Sequence, residues 1–126
     1  MKPERIITQW MKMVNERNIS GVLHLYDRQS VILPTFSDRI QDTPSKKKEY
    51  FRKLLHRRQL SISIHPRSIR THAIGPTSHV VSGLYRWKFD VEGELITYEA
   101  RFTFVVDSAK SAPIVHHHSS QIPRMV

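Results

Sequence analysis

The sequence predicts an α+β fold. Apolar residues recur at helical spacing in the first half of the chain, then switch to strict alternation after Leu60. The alternating segments are joined by short turns such as Gly75-Pro76 and Glu92-Gly93, which suit antiparallel hairpins. With helices first and strands after, the helices bury their apolar stripes together on one face of an antiparallel sheet. A strongly curved sheet of this kind encloses a pocket.

Residues 3–17 read as the first helix. Pro3 suits its first turn, and Ile6, Ile7, Trp10, Met13 and Val14 form one stripe. Asn18 is placed to cap a second, short helix through Ile19, Val22, Leu23 and Tyr26, with Gly21 as its weak point. Residues 27–30 read as a polar turn. Val31–Phe36 is a short strand, limited to a sheet edge or a strand end by Pro34, and residues 38–41 can pair back on it. Thr43 and Pro44 begin the third helix. Its buried face is expected at Tyr50, Phe51, Leu54 and Leu55. A basic outer face is expected at Lys46, Lys47, Lys48, Arg52, Lys53, Arg57 and Arg58. Leu60, Ile62 and Ile64 alternate with serines, and Pro66 interrupts the run. Residues 79–91, 94–106 and 112–123 complete the strands, the last carrying His116, His117 and His118.

The chain has 126 residues, enough for one domain over 1–126 with one core. It has no cysteine, which excludes disulfides, thiolate metal ligands and thiol nucleophiles. The first residues show no apolar signal region, and no apolar run is long enough to cross a bilayer, so a cytoplasmic location is expected and a membrane role is not. The formal charge is +9 but is spread along the chain, which fits a solvated basic surface better than a nucleic-acid interface.

The motifs "LYDRQSVILPTFSDRI", "KKEYFRKLL", "SGLYRWKF", "EARFTFVV" and "IVHHHSSQIP" occur in an order that resembles the association domain of calcium/calmodulin-dependent protein kinase type II and its free-standing bacterial relatives. That family lies within the nuclear transport factor 2-like superfamily. The resemblance covers essentially the whole chain. It implies a cone of three helices against a strongly curved antiparallel sheet, assembly into a homodimer or larger ring, and a pocket lined by arginines. The superfamily also holds ketosteroid isomerases, polyketide cyclases, epoxide hydrolases and dehydratases, so membership leaves the activity open. Arg101 matches a pocket-facing arginine of the kinase domain. Ser119 falls where that domain has a second arginine, and Leu84 or Tyr85 falls where it has a third.

Alternation places Glu99, Arg101, Thr103 and Val105 on one strand face and Tyr98, Ala100, Phe102 and Phe104 on the other. The resemblance puts Arg101 inside. Tyr85, His117, Ser119 and Glu99 are then expected to line the pocket with it. Phe102, Phe104, His116 and His118 are expected at a subunit interface. The alternative makes the phenylalanine face the core and Arg101 a surface residue. Glu99 is a candidate general base, or the partner of Arg101 in a structural ion pair. His117 is a second candidate base, requiring an orienting carboxylate from among Asp27, Asp38 and Asp90. His116 and His118 lack a third ligand, so no metal and no cofactor is expected. The leading expectation is a non-catalytic oligomerising domain that binds a small polar or carboxylated ligand. The alternatives are a small isomerase, lyase or hydrolase, and a basic adaptor that docks an acidic partner on the third helix.

Overall fold

The computed structural model describes residues 2–123. The single-domain expectation therefore extends at Met1 and residues 124–126 beyond the described residues. Three helices, α1 (Pro3–Asn15), α2 (Ile19–His24) and α3 (Pro44–Leu55), accompany six strands. These are β1 (Tyr26–Leu33), β2 (Ser61–Ile64), β3 (Arg70–Ala73), β4 (Ser78–Val91), β5 (Glu94–Asp107) and β6 (Ile114–Gln121).

The first helix stops two residues earlier than its pattern. Arg17 takes a left-handed conformation at φ 57°, and the Arg17 and Asn18 amides donate back to the Val14 and Met13 carbonyls. Asn18 then caps α2, accepting from the Gly21 amide at 2.8 Å. Glycine at 21 leaves room for the Met13 and Asn18 side chains: a Cβ there would stand 2.5 Å from Met13 Sδ and 2.7 Å from the Asn18 amide nitrogen, so both would have to shift. Asn15 pins the end of α1 to β2, its side chain donating to the Ile62 carbonyl at 2.9 Å and accepting from the Ile62 amide at 2.8 Å.

The sheet runs β1-β6-β5-β4-β2, with β3 also on β4. It is mixed, because β1 pairs parallel to β6, and it is not strongly curled. Both points correct the expected strongly curved antiparallel sheet. The parallel pairing arises because the chain runs through α3, β2, β3, β4 and β5 before β6 returns beside β1.

Residues 27–30, expected as a turn, form an arch within β1. Between the pairs Tyr26–Ile114 and Val31–His116, β1 advances five residues while β6 advances two. Lys47 fills this arch and so corrects the expected basic outer face of α3. It is only 2% exposed. Its ammonium donates to the carbonyls of Asp27 (3.1 Å), Arg28 (3.2 Å) and Ser30 (3.0 Å) and to Ser30 Oγ (2.8 Å). A lysine has three protons, so these four acceptors share them. Residues 38–41 do pair back on β1, through one bridge between Gln41 and Ile32.

The helices cover one sheet face. Trp10 of α1 sits at its centre, 5.8 Å from Tyr85 and 5.3 Å from Phe104, ring to ring, with Trp87 edge-on at 6.0 Å. Burial of these aromatic surfaces is the main stabilising term. No described helix is long and apolar enough to cross a membrane.

Candidate functional site

The register of β5 against β6 decides which side chains meet. Phe104 lies opposite His117, and Phe102 opposite Ser119, whereas Arg101 lies opposite Ser120. Cross-strand partners project to the same face. His117 and Ser119 therefore join Tyr85, Phe102 and Phe104 beneath the helices, and all five are buried. Arg101 projects from the opposite face and is exposed. The expected sharing of a pocket by Arg101, His117 and Ser119 is thus corrected, and so is the expected interface role of Phe102 and Phe104, which are core. The alternation within each strand was legible, but the register between strands was not. A bulge at the start of β6 also puts Ile114 and His117, three residues apart, on the same buried side.

Glu99 is likewise outside the core. It accepts from Arg86 Nε at 2.5 Å and meets His65 Nε2 at 2.8 Å. Partial burial raises its pKa, but Arg86 and His65 outweigh this and hold it below the usual value. A carboxylate held in this way is a weak base, and the contact is a surface ion pair. His116 and His118 face away from the core, in register with Val31 and Leu33 of β1. Among the described residues no group of three or more potential metal ligands is assembled.

His117 is the centre of the buried polar network. Its Nδ1 meets Tyr26 Oη at 2.8 Å and its Nε2 meets Tyr85 Oη at 3.2 Å, while its ring stacks on Phe104 at 3.8 Å. A neutral imidazole has one donor and one acceptor, so one tyrosine donates to it and the other accepts from it. Both ring nitrogens are thus occupied by tyrosines, and none of Asp27, Asp38 and Asp90 orients the ring. Burial, with His116 and His118 nearby, pushes the His117 pKa down to about 3. Burial also raises the Tyr26 and Tyr85 hydroxyls, which therefore stay protonated.

The cavity beside this network is about 10 Å³, the room of a single water. Trp10, Thr35, Tyr50 and Trp87 line it together with Tyr85, His117 and Ser119. Thr35 and Ser119 meet hydroxyl to hydroxyl, whereas among the described residues the indole N–H groups of Trp10 and Trp87 have no hydrogen-bond partner. The lining of this cavity offers hydroxyls, indole N–H groups and the imidazole, and neither a carboxylate nor a cation. Trp10 and Tyr26 were expected only as helix residues, Tyr26 in fact opening β1, and Thr35 and Trp87 were not singled out from the sequence. Only the close packing of α1, β1 with the turn after it, and β4 reveals them.

Stability should fall on mild acidification. The unfolded His117 titrates near 6.5 and the folded one about 3, so between those values only the unfolded chain takes up the proton. Stability from this group is complete above about 6.5 and declines by at most about 1.4 kcal/mol per pH unit below it. Glu99, whose pKa is depressed, gives stability present above its unfolded value near 4.5 and lost only below that. Urea unfolding between neutral pH and about pH 5 therefore reads His117 together with His116, whose pKa partial burial also lowers, and His116→Ala separates the two. A flat midpoint across that range would refute a buried neutral His117.

A helical layer on one face of a sheet whose first strand returns beside its last is the nuclear transport factor 2-like fold. Solved structures bear this out. A protein from Xanthomonas campestris, assigned as a calcium/calmodulin-dependent protein kinase II association domain, aligns with TM-score 0.85 at 25% identity, over 97% of this chain and 86% of its own. A ketosteroid isomerase-like protein from Erwinia carotovora atroseptica aligns at 0.76 and 11% identity, over 96% and 94%. A Streptomyces avermitilis member of the same fold family, assigned as a dehydratase, aligns at 0.80 and 9% identity, over 96% and 94%; these two show the fold alone. No curated protein matches the sequence. The family model of the calcium/calmodulin dependent protein kinase II association domain matches residues 4–123, and the chain belongs to that family.

Proposed function

We propose that this chain is an assembly module of one domain that associates with copies of itself through the sheet face the helices leave bare. The carrying observation is the composition of that face along the register. One row across the strands reads Val31, His116, Val105 and Val80, and the next reads Leu33, His118, Thr103 and Ser82. Arg101, Leu84 and Ser120 form a third row beside them. An apolar row of valines beside rows that mix leucine with hydroxyl, imidazole and guanidinium groups suits a protein–protein interface. Membership of a family described as an association domain supports the same reading. In it His116 and His118 keep their expected place at the interface, while Val105, Val80 and Leu33 replace the phenylalanines.

Catalysis receives less support. Among the described residues the cavity lining holds no carboxylate, and His117 is already occupied on both nitrogens. A small carboxylated ligand meets no cation there and has only a water's space.

The test is Thr103→Arg, which sets a charge in the middle of the bare face without touching the core. Sedimentation should find an oligomer for the unchanged chain and a monomer, normally folded by circular dichroism, for the variant. A monomeric parent chain, or a variant that assembles unchanged, would sink the reading.

A further inference from the structure

On the helical side of the sheet, a groove of about 550 Å³ runs between α3 and the segment 36–41. Its rim and floor differ in kind. Arg39, Lys46, Lys53 and Arg57 line it, while Phe36, Tyr50 and Leu54 supply apolar surface. The acid that lines it, Glu49, is already held by Arg52 at 2.6 Å, with Lys53 at 3.8 Å. Lys46 meets Asp42 at 3.2 Å, and both side chains are more than half exposed, so this pair is weak and exchangeable. Arg57 is set in place by its guanidinium, 4.9 Å over the Phe89 ring.

The spacing of the charges limits what fits. Lys46 and Lys53 lie about 10 Å apart along the helix axis, and Arg57 carries the row past its end. One carboxylate or phosphate reaches at most part of such a row. An extended chain with acidic side chains at intervals reaches all of it, and a large apolar side chain between them has Phe36, Tyr50 and Leu54 to rest on. From this charge complementarity we infer that the groove docks an acidic peptide segment carrying an aromatic or large aliphatic anchor. The inference is independent of the bare sheet face, which lies on the far side of the sheet from α3. Peptide docking in a groove of this kind draws its on-rate from the charges and its discrimination from the anchor.

The experiment uses the full chain and a short fluorescein-labelled peptide of glutamates flanking a single phenylalanine, followed by fluorescence anisotropy. Binding should weaken steeply as salt is added. Arg39→Glu and Lys53→Glu, both at exposed positions, should each weaken it roughly tenfold while leaving the fold and the oligomer unchanged. Replacing the peptide's phenylalanine by alanine should also weaken it. The inference is overturned by no binding at low salt, by affinity indifferent to both charge reversals, or by affinity indifferent to loss of the phenylalanine. Tighter binding of an oligothymidylate than of the peptide overturns it in favour of nucleic acid.

Discussion

Replacing Lys47 by methionine should lower the free energy of unfolding by about 2–4 kcal/mol, since buried acceptors stripped of a charged donor cost about 1–3 kcal/mol each and some of those in the arch gain water instead. Methionine keeps the length and apolar stem of the side chain, so packing of α3 is retained and the loss reports the ammonium. The Ser30 carbonyl and hydroxyl bear the largest part, because Ser30 is buried while Arg28 is exposed. Urea unfolding gives the magnitude. Amide hydrogen exchange gives the place, with protection lost first around residues 27–31. A variant as stable as the parent would mean that the arch holds its shape without the lysine.

His117→Phe should destabilise by a similar amount, about 2–4 kcal/mol, because it leaves the hydroxyls of Tyr26 and Tyr85 buried and unpaired. Phenylalanine preserves the stacking on Phe104, so the loss is polar in origin. Adding Tyr26→Phe and Tyr85→Phe should recover most of it, because removing both sides of a buried hydrogen bond costs far less than removing one. The variant should also lose the dependence on mild acidification that His117 gives the parent. Failure of the two tyrosine changes to restore stability would show that the histidine acts through shape alone.

Much of the architecture was legible in local pattern. The Thr43-Pro44 start of α3, the Asn18 cap and the hairpin at Glu92-Gly93 all follow from residue chemistry within a few positions, and all are present. What the sequence hid depends on pairs distant along the chain. Arg101 and Phe102 are neighbours, and alternation says only that they point apart. Which of them faces the helices is fixed by register with β6 and by where α1 lies. The apolar side wins because Trp10 must be covered, as the more local reading of the same residues held. Lys47 was hidden for another reason. Amid Lys46 and Lys48 it reads as one more surface charge, and only the arch in β1 gives it acceptors to bury. The site residues Tyr26 and Trp10 were invisible as a pair because they meet His117 from elements about a hundred residues away in sequence.

The contact of Asn15 with Ile62 also governs how copies of this chain can meet. β2 stands at the margin of the sheet, where an outward N–H and C=O would invite a strand from another molecule. The Asn15 amide occupies both groups of Ile62, in effect posing as the missing strand. At the other margin, Gln41 takes the outward amide and carbonyl of Ile32 in β1. With β1 and β2 each blocked at one point, sheet extension through these two edges is disfavoured. Association face to face, which closes on itself and stops, remains open to the chain.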